Sequence, residues 1–312
     1  MRKIVVFFLA ILIVIGISNI EVQSVGAFDL NSLKPDDMRY SFQYTHSSKN
    51  RLVVNGYSFY DFIIIGNLEV KELDKDLLIQ TVSAKYNLTP REDFVIKVPY
   101  KYKRNSIISY TDNQNEKFQE ADDFGLGAIE LTLRRHFKGN DEETEVEFLT
   151  LKTNTGSSPY KLEDKEVALG TGHLGLKAGL TRMKRLDPVM LFGSASYCIN
   201  LYEKVNINNE VKEEVTEEES ELNEETIELI DPGDTFQYSL GLAYALNSRI
   251  MLSSRVEHTI VGNSEINGDL KNGTGVNIAN IYLELNYLNE KDVNYKYMIG
   301  FGLTEDSPDF SF

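Results

Sequence analysis

The chain has 312 residues, a formal net charge of −16, a single cysteine and no tryptophan. This length suits one large domain. The acidity argues against nucleic acid as a partner, and Cys198 alone supports no internal disulfide framework.

At the start, Arg2 and Lys3, an apolar run over residues 4–17 and the small residues Val25-Gly26-Ala27 read as a cleaved secretory leader spanning residues 1–27. A retained N-terminal anchor is the alternative, although the run is short for a helical span. Past it there is no stretch of about 18 apolar residues, so a membrane-embedded remainder has to be a closed β-barrel.

Residues 28–57 form an N-terminal segment with one candidate strand at 38–46, and residues 58–312 carry the barrel pattern. Candidate strands follow at 58–70, 77–87, 93–104, 125–137, 144–154, 171–182, 188–201, 235–246, 249–261, 276–288 and 293–303. The connections alternate. Tight ones span 88–92, 138–143, 183–187, 247–248 and 289–292; long ones span 105–124, 155–170, 202–234 and 262–275. Strict alternation of short turns and long loops is the habit of an outer-membrane barrel. The expected fold is therefore all-β, an antiparallel transmembrane barrel of about 12 strands. A soluble β-sandwich remains the rival. By strand parity the stretch after 293–303 should descend as a closing strand, and only Phe310-Ser311-Phe312 is available. Either that strand is truncated or 38–46 closes the wall.

The faces of the strands support a wall between lipid and water. In 235–246, Phe236, Tyr238, Leu240, Leu242, Tyr244 and Leu246 alternate with Gln237, Ser239, Gly241, Ala243 and Ala245. Tyrosines near strand ends, such as Tyr86, Tyr100, Tyr244 and Tyr295, suit interfacial girdles. Charged residues of both signs gather on the other face, which points to a hydrated lumen. The expected lumen-lining residues are Lys97, Lys101, Glu130, Arg134, Lys177, Arg255, Glu257, Glu284 and Lys296. The acidic stretch 202–234 reads as a solvated external loop, either mobile or a short surface helix.

No catalytic, cofactor-binding or metal-binding residue is expected. His46, His136, His173 and His258 are dispersed, and no calcium-loop, Gly-x-Ser-x-Gly or His-x-x-x-His pattern occurs. Gly170-Thr171-Gly172-His173 does not open a helix, so it reads as a strand start rather than a phosphate loop. His173 and His258 read as satisfied wall residues, with titration in the lumen as the alternative. Glu257 and Glu284 share a face on adjacent strands and should be neutralised by Arg255 or Lys296 rather than act as paired acids.

From Leu77 onward the chain resembles a family of bacterial outer-membrane proteins labelled putative transporters, or "meta-pathway of phenol degradation" proteins. The residues that carry the resemblance are Gly170-Thr171-Gly172-His173-Leu174-Gly175-Leu176, Leu186-Asp187-Pro188-Val189-Met190, Ile230-Asp231-Pro232-Gly233-Asp234-Thr235, and Phe301-Gly302-Leu303-Thr304-Glu305-Asp306-Ser307-Pro308-Asp309-Phe310. Thr153-Asn154-Thr155-Gly156-Ser157-Ser158-Pro159-Tyr160 and Tyr86-Asn87-Leu88-Thr89-Pro90-Arg91-Glu92 resemble its loop and turn. The resemblance implies a β-barrel in a Gram-negative outer membrane, passing small compounds, hydrophobic or aromatic ones among them. It transfers no binding residue. Family members run past Ser-Pro-Asp-Phe into one more strand, which this sequence lacks.

Three functions follow. The first is a non-enzymatic, porin-like barrel, with lipid, an unidentified solute and the outer-membrane assembly machinery as partners. The second is a structural or surface-interaction barrel without transport. The third is a secreted soluble sandwich.

Overall fold

The computed structural model describes residues 35–53, 69–110, 116–138, 142–160, 167–207, 226–290 and 293–312. The described elements are all strands. The first eight are β1 (Asp37–Val53), β2 (Glu69–Thr89), β3 (Glu92–Tyr110), β4 (Glu116–Leu126), β5 (Glu130–Lys138), β6 (Glu143–Lys152), β7 (Gly175–Leu186) and β8 (Val189–Asn200). The rest are β9 (Glu203–Ile207), β10 (Thr226–Asp231), β11 (Thr235–Ala245), β12 (Ile250–Val261), β13 (Glu265–Ile266), β14 (Asp269–Leu270), β15 (Val276–Leu288), β16 (Asn294–Gly302) and β17 (Phe310–Ser311).

Thirteen of these form one antiparallel sheet that closes on itself, because β1 pairs both β2 and β17, and β2 also pairs β3. β4 and β5 lie end to end along β3, so the wall has twelve staves. A closed wall overturns the soluble-sandwich alternative. The interruption between β4 and β5 has a local cause. Gly127 N–H donates to Pro99 O at 2.9 Å, so the amide that Pro99 lacks would have faced the same stave. The freed backbone is taken up by the next loop: Thr153 N–H donates to Ile129 O, and Thr153 Oγ1 accepts from Ile129 N–H at 3.0 Å.

The expected extra strand 38–46 falls in the first half of β1, an ordinary stave, so the barrel extends N-terminal of residue 58. Of the expected strand 58–70, residues 58–68 lie outside the described residues, and Glu69 and Val70 belong to β2, which also takes in the expected strand 77–87. Closure runs through a short seam. Phe310 and Ser311 pair with Phe301 and Gly300 on one side and with His46 and Thr45 on the other. Phe312 exchanges two backbone hydrogen bonds of 2.8 Å with Tyr44. The Phe310 ring lies 5.9 Å from that of Tyr44 and 5.5 Å from that of His46.

Alternation sorts the wall as expected. Phe236, Tyr238, Leu240, Leu242, Tyr244 and Leu246 are exposed, whereas Ser239 and Ala243 are buried on the opposite face of β11. The exposed apolar band carries the chain's contribution from hydrocarbon. The interior is held instead by small polar pairs, such as Thr132–Thr150 at 2.8 Å and Ser194–Ser239 at 2.7 Å. At the tight-turn end, Asn247 Oδ1 accepts from Arg249 and Ile250 N–H, and Asn289 Oδ1 accepts from Val293 N–H. These side chains supply the turn bonds that the backbone cannot.

The other end departs from expectation. The long connection expected over 105–124 is mostly strand, since β3 and β4 stay paired up to Tyr110 and Glu116. Outward charged and polar residues interrupt the apolar band there: Arg104 pairs with Glu120, and Asp76 accepts from Tyr44 Oη at 2.7 Å and contacts His46 at 2.9 Å. A strand that rises above the apolar band loses the alternation by which it is recognised. Likewise, the ends of the acidic 202–234 stretch are neither loop nor helix but strands β9 and β10, which join β13 and β14 in a second, four-stranded sheet. Val205, Ile230, Pro232 and Ser264 are its buried centre. Residues 208–225 lie outside the described residues.

Candidate functional site: the barrel interior

Cross-strand partners share a face. By register and burial, Lys97, Lys101, Glu130, Arg134, Lys177, Arg255, Glu257, Glu284 and Lys296 all stand on the face opposite the exposed apolar band. Lys97 and Glu130 contact each other at 3.5 Å across β3 and β5, and the others fall into three groups.

The first group lies on β12, β15 and β16. Glu284, 8% exposed, is held by Lys296 Nζ at 2.9 Å, Arg255 Nη1 at 3.2 Å and Ser253 Oγ at 3.2 Å. Arg255 also reaches Glu257 at 3.7 Å and lies over the Tyr282 ring at 4.7 Å. The Arg255–Glu284 contact is an ion pair without hydrogen-bond alignment, since Arg255 Nε and Glu284 Oε1 both lack a hydrogen-bond partner. The charges balance within the group, so these carboxylates are neutralised wall residues.

The second group sits near the tight-turn end. Asp93, 2% exposed, accepts from Arg134 Nε at 2.6 Å and contacts His136 Nε2 at 2.7 Å. Arg134 is among the expected lumen residues; the other two are not. Their signal was parity: Asp93 shares the face of Lys97, and His136 that of Arg134.

The third group lies beneath a loop that folds into the barrel. Val167, Ala168, Leu169 and His173 are all buried. Lys101 Nζ donates to Leu169 O at 2.8 Å, and Lys103 Nζ to Ala168 O at 3.4 Å. Ser157 Oγ accepts from Leu169 N–H at 2.9 Å and donates to Val167 O at 3.3 Å. Glycines make room. A Cβ on Gly125 would stand 3.1 Å from Leu169 Cδ1, and one on Gly156, at φ +92°, would stand 2.5 Å from Leu126 O. The expected strand start at 171–174 is therefore the end of an inward loop, and β7 begins at Gly175.

Beside this loop, Gly175 is closely packed. A Cβ there would be 3.2 Å from Cys198 Sγ, 3.2 Å from Asn200 Oδ1 and 3.7 Å from Lys152 Cβ. Lys177 is the next residue on the same face. His173, at the end of the loop, is 2% exposed, with Nδ1 buried and without a hydrogen-bond partner, an arrangement that costs on the order of 1–3 kcal/mol. Burial, reinforced by the charge of Lys152, pushes the imidazole pKa down to about 4. Lys152 was missed in the sequence although it alternates with Thr150. His258, weighed as a lumen residue, is on the outer face instead, bonded to Tyr238 Oη at 2.8 Å and to Asn277.

Three interior rings lie flat against glycines on the adjacent stave. They pair Phe148 with Gly179, Phe192 with Gly241 and Tyr282 with Gly300. Each ring thereby takes the place of the missing side chain rather than projecting across the interior.

No family model matches this chain. Among solved structures it is similar to the COG4313 outer membrane channel from Pseudomonas putida F1, at 15% identity and a TM-score of 0.58, over 90% of this chain and 94% of that one. The chain has the fold of that outer-membrane barrel. The transport unit of the autotransporter AIDA-I from Escherichia coli matches at 11% identity, over 92% of this chain and 91% of that one, but its TM-score of 0.45 is too low to argue from.

Proposed function

We propose that this chain is an outer-membrane pore-type barrel that passes small solutes through an interior narrowed by the inward loop. The observation that carries this reading is a closed wall, apolar outside and charged inside, whose lumen loop is pinned by Lys101 and Lys103. Such a wall approaches the two demands of a pore: the staves pair their backbones around a closed sheet, and charges line a path that biases which solutes enter. The leader-like N-terminus supports export, and the apolar band supports insertion by the outer-membrane assembly machinery. The resemblance to the meta-pathway family supports small compounds, aromatic ones included, as cargo.

The inward loop also favours a second reading, a plugged structural barrel without transport. Reconstitution into planar bilayers separates the two. Stepwise conductance supports the pore; a barrel that shows heat-modifiable gel mobility yet stays silent supports the plug.

A further inference from the structure

The acids and bases of the staves are not shared evenly between the two faces. On the outer face stand Asp74, Asp76, Glu120, Asp122, Glu145 and Glu147, each in register with an outward neighbour. From Lys75 of β2 through β7, the inner face instead gathers Lys75, Lys97, Lys101, Lys103, Lys152 and Lys177, with Arg134 on the same face. Among the described residues, the inward acids of that arc are Asp93, Asp123 and Glu130. Arg134 holds Asp93 at 2.6 Å, Lys103 faces Asp123 in register, and Glu130 stands between Lys97 and Lys152. Pairing redistributes these charges without changing their sum, and the sum is positive.

The remaining described staves do not offset it. β8 and β11 contain no charged residue. Arg255 and Lys296 balance Glu257 and Glu284 on β12, β15 and β16, and Arg39 pairs with Asp37 on β1. A chain with a net charge of −16 thus builds a wall whose inner face has the opposite sign.

We propose that this interior selects small anions over small cations. Like charges held along one arc of a low-dielectric wall add their fields, and pores lined by lysine and arginine favour anions. The Debye length is about 10 Å at 0.1 M salt, so the arc acts well beyond the side chains themselves. No single lysine has to bind the solute. The inference names a solute class for the proposed pore. It rests on that reading for passage, and on the charges alone for the sign of the interior.

The test places the full chain, folded in detergent and reconstituted in planar bilayers, across a potassium chloride gradient. The reversal potential should show chloride favoured over potassium by at least about threefold, which a potential below the several kT of clustered charges already produces. The double variant Lys152→Gln/Lys177→Gln, with heat-modifiable mobility as its folding check, should lower that ratio by at least about half, and Glu130→Gln should raise it. Arg182→Gln removes an outward cation paired with Glu143 and should leave the ratio unchanged. A preference for potassium, or a ratio unmoved by the lysine pair, overturns the proposal. If the folded barrel is silent, the pore reading fails on its own, and thiol labelling in detergent decides the sign. Cys198→Ser/Thr181→Cys places one thiol on the inner face of β7, two interior positions from Lys177. Relative to their rates on free cysteine, anionic sulfonatoethyl methanethiosulfonate should gain at least about threefold over its cationic trimethylammonioethyl counterpart. That gain supports a positive interior; no gain, or no labelling by either reagent, overturns it.

Discussion

The Phe148 ring rests on the bare backbone of Gly179, its direct cross-strand partner, with Cζ 2.4 Å from where a Cβ would stand. Glycine here is a seat for the ring, not a flexible point. Replacing Gly179 with valine should turn the ring into the lumen. The expected outcome is a lower single-channel conductance and a loss of about 1–3 kcal/mol of stability from overpacking, read by urea unfolding in detergent.

Loop pinning gives a second expectation. In Lys101→Met/Lys103→Met, the carbonyls of Leu169 and Ala168 lose their ammonium donors. Conductance should rise, with larger current fluctuations. An unchanged current trace would mean that the loop does not restrict passage.

The buried ion group responds differently to single and paired changes. Arg255→Met leaves Glu284 with Lys296 as its one remaining cation in a buried site, which should cost about 1–3 kcal/mol. Adding Glu284→Gln should restore part of that, because the under-compensated charge is then gone. Denaturant midpoints of the single and double variants check the difference.

Acid should loosen the inward loop. His173 titrates at about 4 when folded, against an ordinary 6.5. The folded state therefore resists the proton that the unfolded state accepts. Stability from this group is complete above pH ~6.5 and is lost as pH falls toward ~4. The shift corresponds to about 3 kcal/mol at most. The His173→Gln variant should show a flatter stability profile across that window.

Lipid contact can be tested on one strand. Leu240 faces outward near the middle of β11, and Ser239 faces in. Leu240→Arg should cost about 2–4 kcal/mol in a bilayer, measured by unfolding from lipid vesicles. Equal costs at Leu240→Arg and Ser239→Arg would contradict the assignment of faces.

Where a stave crosses the apolar band, alternation made it legible: β11 was read to within a residue of its ends, and the interior charges followed from parity. What failed shares a physical cause. The upper parts of β3 and β4 carry outward Arg104 and Glu120, whose ion pair replaces apolar contact, so a true strand looks like loop. Residues 171–174 alternate as a strand does, yet Gly172 at φ +74°, with Ser158 and Tyr160 occupying the space a Cβ would need, bends them into the lumen. His258 sits one residue from interior Glu257, and only the register fixes which of the two faces out. Lys152 and Lys177 were separately visible as polar positions. Their diagonal placement on one face depends on β6 and β7 being neighbours, which single-strand patterns do not encode.

The seam joins the two ends of the sheet. Ser48 and Asp309 meet across 261 positions of sequence, so closing the wall means bringing the far ends of the chain together. Loop-closure entropy makes that encounter slow. Until Phe310 docks beside Tyr44, the sheet is an open ribbon with two raw edges in or near lipid, and its safe insertion depends on whatever holds those edges apart.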